Sequence, residues 1–206
     1  KAVYAFMEGK ESHLKVTEIE HPDVLLWLVW AIQQYAKMVS WDEARVKYGK
    51  ALKDVMDYLA GNHHPNLKVH ENGLVYTNGR DKAVTWMNST VNGRPVVART
   101  GYIVEFNALW YNALCFVADL LSLDYGFVDY LHQFSDKVSK SFVQTFLNEY
   151  GYLLDYVDGD MMDWSVRPNM IFAAAFDYSP LDSKQKKGVV DIVTKELLTP
   201  KGLRSL

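Results

Sequence analysis

Apolar positions fall into two kinds of run along the chain, and each predicts a different kind of helix. Val24-Leu25-Leu26-Trp27-Leu28-Val29-Trp30-Ala31-Ile32 is apolar without interruption, with Asp23 and Gln33 at its ends. A helix that is apolar on every side has to be surrounded by protein. The run therefore predicts a buried helix, capped by Asp23 and ending near Val39. Ser40 then opens an amphipathic helix, with Glu43 three residues on completing a capping box. It continues through residues 51–59 and stops at Gly61-Asn62, a natural C-cap.

Helical periodicity returns over residues 104–122 and again over 127–149, where Leu131, Phe134, Val138, Phe142, Val143 and Phe146 form the apolar stripe. Pro168 suits the first turn of a helix through Phe176, and Ser183 starts a last one ending near Leu198. Two stretches break the pattern. Over residues 62–102, Gly73, Gly79, Gly93, Pro95 and Gly101 punctuate short extended pieces such as Leu74-Val75-Tyr76 and Arg94-Pro95-Val96-Val97. A second loop, residues 150–166, carries Asp155, Asp158, Asp160 and Asp163. Loops this long inside a compact helical domain usually serve function. The fold class expected is all-α, buried and amphipathic helices in alternation with long loops on one side.

With 206 residues the chain is one domain or at most two, large enough to bury a core without staples. Its 22 basic and 25 acidic residues give a formal charge of −3, which argues against nucleic-acid or anionic-membrane partners. No run reaches the roughly 18 apolar residues of a membrane span, and no signal pattern follows the opening Lys-Ala-Val-Tyr, so a cytoplasmic setting is expected, with the periplasm kept open. Both ends read as cuts in a longer protein. The single cysteine, Cys115, lies in an apolar run and is read as a small buried hydrophobe. The conspicuous excess is aromatic, with 6 Trp, 13 Tyr and 9 Phe.

The most informative chemistry sits on the helix that starts at Val104. At 100° per residue, Glu105, Asn112 and Asp119 share one stripe, while Asn107 and Tyr111 share another face with Trp110 beside them. Charged and amide groups on an apolar helix are costly unless paired or facing a wet cavity. Two readings stay open. Glu105 pairs with an arginine such as Arg99 at the helix N-terminus, or the stripe walls a cavity where carboxylate, amide and aromatic groups meet a sugar.

At these residues the chain resembles a family. Thr85-Trp86-Met87-Asn88, Gly93-Arg94-Pro95-Val96, Arg99-Thr100-Gly101 and Val104-Glu105-Phe106-Asn107-Ala108-Leu109-Trp110-Tyr111-Asn112-Ala113-Leu114 look like the amylo-α-1,6-glucosidase domain of glycogen debranching enzymes. Val166-Arg167-Pro168-Asn169 and Leu198-Thr199-Pro200-Lys201-Gly202-Leu203-Arg204 resemble two further landmarks of that family, in order. The resemblance covers roughly residues 64–206. It implies part of an (α/α)6, six-hairpin-glycosidase-like barrel, cut short, with residues 24–32 and 104–121 on inner helices. An incomplete barrel leaves an apolar face for a second copy or another segment to cover.

The resemblance further implies hydrolysis of α-1,6-linked glucose in a branched α-glucan, with no cofactor, by an inverting pair of carboxyl groups ~6.5–9.5 Å apart. Two departures matter: the chain stops at the landmark of residues 198–204, past which the family continues toward the expected second carboxylate, and one motif position differs. Where the family carries an acid after Trp-Met this chain has Asn88, and an amide cannot protonate a glycosidic oxygen. A carbohydrate-binding remnant of the same fold, or a trehalase- or glucoamylase-like enzyme, are the alternatives.

The cleft expected from this reading combines Trp86, Asn88, Arg99, Glu105, Asn107, Trp110 and Tyr111 with Asp163, Arg167 and Asn169. Trp86 serves as a sugar platform or a loop anchor. Arg99 binds a hydroxyl or fixes Glu105 by a bidentate pair. Arg167 and Asn169 touch sugar or clamp Asp155 or Asp163. Glu105 is the charged group expected in the site, as a clamp on sugar hydroxyls or as the acid, and a helix N-terminus favours the ionised clamp. The spaced aspartates lack the closing glutamate of a calcium loop. His63, His64 and His70 lack helical zinc spacing and read as a solvated loop.

Overall fold

The computed structural model describes residues 21–205, so the reading of the first residues as free of a signal lies outside it. Six α-helices dominate the described residues: α1 (Val24–Met38), α2 (Trp41–Ala60), α3 (Val104–Leu120), α4 (Tyr125–Phe146), α5 (Ile171–Ala175) and α6 (Ser183–Leu197). A 3-10 turn, Pro168–Met170, leads into α5, with Pro168 at its first position as the fixed proline φ requires. No helix among the described residues is long and apolar enough to cross a membrane.

α3 is the centre. It packs against α1, α2, α4 and α5, and fourteen of its seventeen residues are buried. Side chains such as Phe106, Leu109, Leu114 and Phe116 each contribute about 1.5–3 kcal/mol by leaving water. α1 is different. Leu25, Leu26, Val29 and Ile32 enter the core, while Trp27 and Trp30 are half-buried and Ala31 is exposed, so among the described residues it is covered on one side.

Capping follows the sequence in part. Ser40 Oγ accepts from the Glu43 N–H at 3.0 Å. The Glu43 carboxylate does not complete the box, because the Tyr35 hydroxyl takes it instead. Asp23 makes no side-chain cap and accepts from the Trp27 indole at 3.3 Å. At the end of α2 it is Asn62 that adopts the left-handed backbone, with φ 60°. Asp182 and Gln185 form the one reciprocal capping box seen among the described residues, at the start of α6.

The helical expectation holds for most of the described residues, and a small sheet is added to it. Five short strands, β1 (Lys68–Val69), β2 (Val75–Thr77), β5 (Gly101–Ile103), β6 (Tyr156–Asp158) and β7 (Met161–Met162), form an antiparallel sheet in the order β1-β2-β5-β6-β7. Two small hairpins, β3 (Thr90–Val91) with β4 (Arg94–Pro95) and β8 (Leu198–Thr199) with β9 (Gly202–Leu203), lie apart from it. Each strand has two or three residues, too few for an alternating pattern to register. The sheet joins the two long loops, pairing Tyr102 with Val157 and Ile103 with Tyr156. Gly101 allows the close approach: its φ is +88°, and a Cβ there would lie 2.2 Å from the Val157 carbonyl oxygen.

Two single residues also depart from expectation. Cys115 is half-buried, because it lies toward the edge of α3 beside Tyr111, and burial raises its thiol pKa. His64 is 0% exposed, set edge-on against Tyr58 behind the end of α2. Its neighbours His63 and His70 do lie at the surface.

Candidate functional site

Because β5 pairs with β6, the residues just before these strands become neighbours. Arg99 precedes β5 and Asp155 precedes β6. The Asp155 carbonyl accepts from the Val104 N–H at 3.1 Å, which seats the start of α3 at the same point. Arg99 then lies between two carboxylates. Its Nη1 and Nη2 reach the two oxygens of Glu105, the latter at 2.6 Å, and its Nε and Nη2 reach the two oxygens of Asp155 at 2.8 and 2.9 Å. Only a guanidinium can serve two carboxylates in this forked manner.

The network continues outward from Asp155. Arg167 Nη1 donates to Asp155 and to Asp163, both at 2.7 Å. Asn169 Nδ2 donates to Asp155 at 2.7 Å and meets Met87 Sδ at 3.4 Å. Asn169 Oδ1 accepts from the Trp86 indole at 2.9 Å. A continuous chain of bonds thus runs from Glu105, inside the core, to Trp86, which is 45% exposed. Two guanidinium groups meet three carboxylates.

Burial opposes the charge on Arg99, and the Glu105 and Asp155 carboxylates more than offset this, raising its pKa above the ordinary range. Burial pushes the Glu105 carboxyl upward, against the pull of the Arg99 guanidinium on both its oxygens. For Asp163 the balance is reversed. Burial raises it, but Arg167 and the Ser165 N–H hold it below the usual carboxylate range. Arg167 Nε is buried with no partner among the described residues.

At the outer end of this network lies a cleft of about 180 Å³ lined by Trp86, Met87, Asn88, Ser89, Val96 and Val97, with Ser205 at its edge. A flat indole, an amide and hydroxyls face one hollow. Among the described residues no carboxylate lines it. Of the residues singled out from sequence, the structure bonds Trp86, Arg99, Glu105, Asp163, Arg167 and Asn169 into one network, with Asn88 in the adjoining cleft.

The other three do not join it. Asn107 gives both its amide hydrogens to the carbonyls of Val75 and Ile103, and accepts from the Val75 N–H. It locks α3 to β2. Trp110 is fully buried, its indole bonded to the Gly73 carbonyl at 3.1 Å. Tyr111 lies between Cys115 of its own helix and Ser139 of α4, and burial pushes its pKa up to about 12. The polar stripe as a cavity wall is likewise corrected. Glu105 pairs with Arg99, Asn112 with Gln33 at 2.7 Å, and Asp119 with the Tyr178 hydroxyl, so each polar group has a protein partner.

Asp155 is the hub that sequence reasoning placed only among spaced acids or as an anchor for Arg167. Charge counting offered no clue to it, since Glu105 and Asp163 alone already balance Arg99 and Arg167. Of the two other acids of the loop, Asp158 is engaged elsewhere, accepting from Arg80 at 2.6 Å and from the Tyr76 hydroxyl at 2.8 Å. Among the described residues no group of three or more His, Cys, Asp or Glu side chains is disposed to hold a metal.

A protein-family model described as amylo-alpha-1,6-glucosidase matches residues 15–206. A search of curated proteins finds no match.

Proposed function

The chain belongs to the amylo-alpha-1,6-glucosidase family, and from that premise we propose that it supplies the α-glucan-binding cleft of a debranching-type glycosidase acting on α-1,6-linked glucose. The observation that carries this reading is Trp86, half-exposed at the mouth of the cleft and held there by Asn169. A sugar ring offers an apolar C–H face and a belt of hydroxyls. The indole meets the face, and Asn88 and Ser89 meet the belt. In this reading the six helices form part of an (α/α)6 barrel. The buried ion network is a foundation that sets the position of Trp86 rather than a group that touches substrate.

Inverting hydrolysis needs one carboxyl to protonate the leaving oxygen and a second to activate water. Asn88 can do neither, and no other side chain of the cleft is acidic. Glu105 is fully engaged by Arg99 inside the core. The cleft of this chain is accordingly a binding cleft, and chemistry belongs to an acid and base outside its lining. The same observation favours a second reading, in which the protein retains the sugar cleft of its family and has lost the hydrolytic activity.

Affinity electrophoresis in a gel containing branched limit dextrin, alongside an assay for released glucose, tests the proposal. The 206-residue chain should be retarded by the dextrin, Trp86→Ala should lose most of that retardation, and neither should release glucose. Glucose release by the chain alone, or migration unaffected by dextrin, contradicts it. In a longer protein containing this chain, glucose release supports the enzyme, and binding without release supports the second reading.

A further inference from the structure

A second aromatic surface lies on the same loop as Asp163 and has no part in the cleft. The turn between α4 and β6 is closed by a bridge between Leu147 and Leu153. Within it the Asn148 N–H donates to the Tyr152 carbonyl at 3.0 Å, and Asn148 Oδ1 accepts from the N–H groups of Tyr150 and Tyr152. Gly151 takes φ +80° at its tip. From α6, Gly188 approaches so closely that a Cβ there would lie 2.3 Å from the Gly151 carbonyl oxygen. The turn is thus braced from within and from behind.

It displays two rings. Tyr150, 72% exposed, lies nearly parallel to Tyr152 at 6.4 Å, and edge-on to Trp164 at 6.1 Å. Trp164 is itself 43% exposed, and the Tyr152 hydroxyl donates to its carbonyl at 3.3 Å. Large rings held at the surface by hydrogen-bonded backbone lose little freedom when a ligand lands on them. An array of three rings with hydroxyls at its rim fits a flexible, polar ligand with repeated apolar faces. A glucan chain is such a ligand.

We propose that Tyr150, Tyr152 and Trp164 form a stacking platform for a linear run of α-linked glucose units, separate from the cleft at Trp86. This rests on the reading of the cleft as an α-glucan site. Trp164 follows Asp163, which is joined through Arg167, Asp155 and Asn169 to Trp86. The platform and the cleft therefore have a fixed relation. The division of labour is that the platform holds the main chain while the cleft takes the branch.

Titration calorimetry with maltoheptaose and with isomaltose, on wild type, Tyr150→Ala/Trp164→Ala, Tyr150→Phe and Trp86→Ala, separates the two sites, with circular dichroism confirming the fold of each variant. The double variant should bind maltoheptaose about tenfold more weakly, as for loss of aromatic anchors, and isomaltose as wild type does. Tyr150→Phe, which keeps the ring, should bind maltoheptaose as wild type does. Unchanged maltoheptaose affinity in the double variant overturns the platform. If Trp86→Ala alone abolishes binding of both sugars, the platform falls and the cleft reading stands. If wild type binds neither sugar, both fall. A mass increase on sedimentation that the double variant abolishes, without a change in sugar affinity, would assign the surface to a second copy and overturn the proposal.

Discussion

His64 shows how one buried side chain sets a pH response. Its Nδ1 accepts from the Asn66 N–H at 3.0 Å, so the ring proton sits on Nε2, which is buried without a partner among the described residues. A second proton would break the bond to Asn66 and place a charge where no anion waits. Burial first, and Lys68 second, lower its pKa to about 4 from an ordinary 6.5. The unfolded chain takes up that proton between these values and the folded chain refuses it. The stability it confers is complete above pH 6.5 and is lost as pH falls toward 4, amounting to roughly 3 kcal/mol over the window. Urea midpoints between pH 7 and pH 5 should fall steadily in wild type and stay flatter in His64→Asn. Parallel curves would contradict this account. The burial was not legible in the sequence, where His63-His64-Pro65 has the composition of a solvated loop.

Strands and helices were unequally legible. The runs beginning at Val104 and Phe127 showed their helices because fifteen or more residues report one period, and the run at Val24 because it is apolar without interruption. The five-stranded sheet did not show, since Val75–Thr77 and Gly101–Ile103 are held by partners far away in the chain rather than by their own pattern. Gly101 is the point where this non-local pairing is most exposed to mutation. A methyl group there meets the Val157 carbonyl, and the left-handed φ is strained for any residue with a Cβ. Gly101→Ala should cost at least about 2 kcal/mol by urea denaturation. It should also weaken dextrin binding, because β5 sets Arg99 against Asp155. A variant as stable as wild type would mean that β5 and β6 are not paired as described. The same pairing explains which site residues could be foreseen. Trp86, Arg99, Arg167 and Asn169 carried family landmarks, whereas the role of Asp155 depends on a sheet that brings it to Arg99.

At the scale of the molecule, the helices build the core and the loops build the site, and one sheet connects them. A buried ion network is a costly way to hold a surface tryptophan, since desolvating charges offsets most of what their pairing contributes. What the network provides is a fixed direction for Trp86. In the proposed reading this indole, and not the buried ones, meets the branch of the α-glucan in the cleft. Two-dimensional 15N–1H spectra of the indole groups during titration with a branched limit dextrin test it most directly. The Nε1–H resonance of Trp86, assigned by its loss in Trp86→Phe, should move with saturation, while that of Trp110, bonded to Gly73 inside the core, should stay fixed. A Trp86 resonance that stays in place at saturating dextrin would contradict the account.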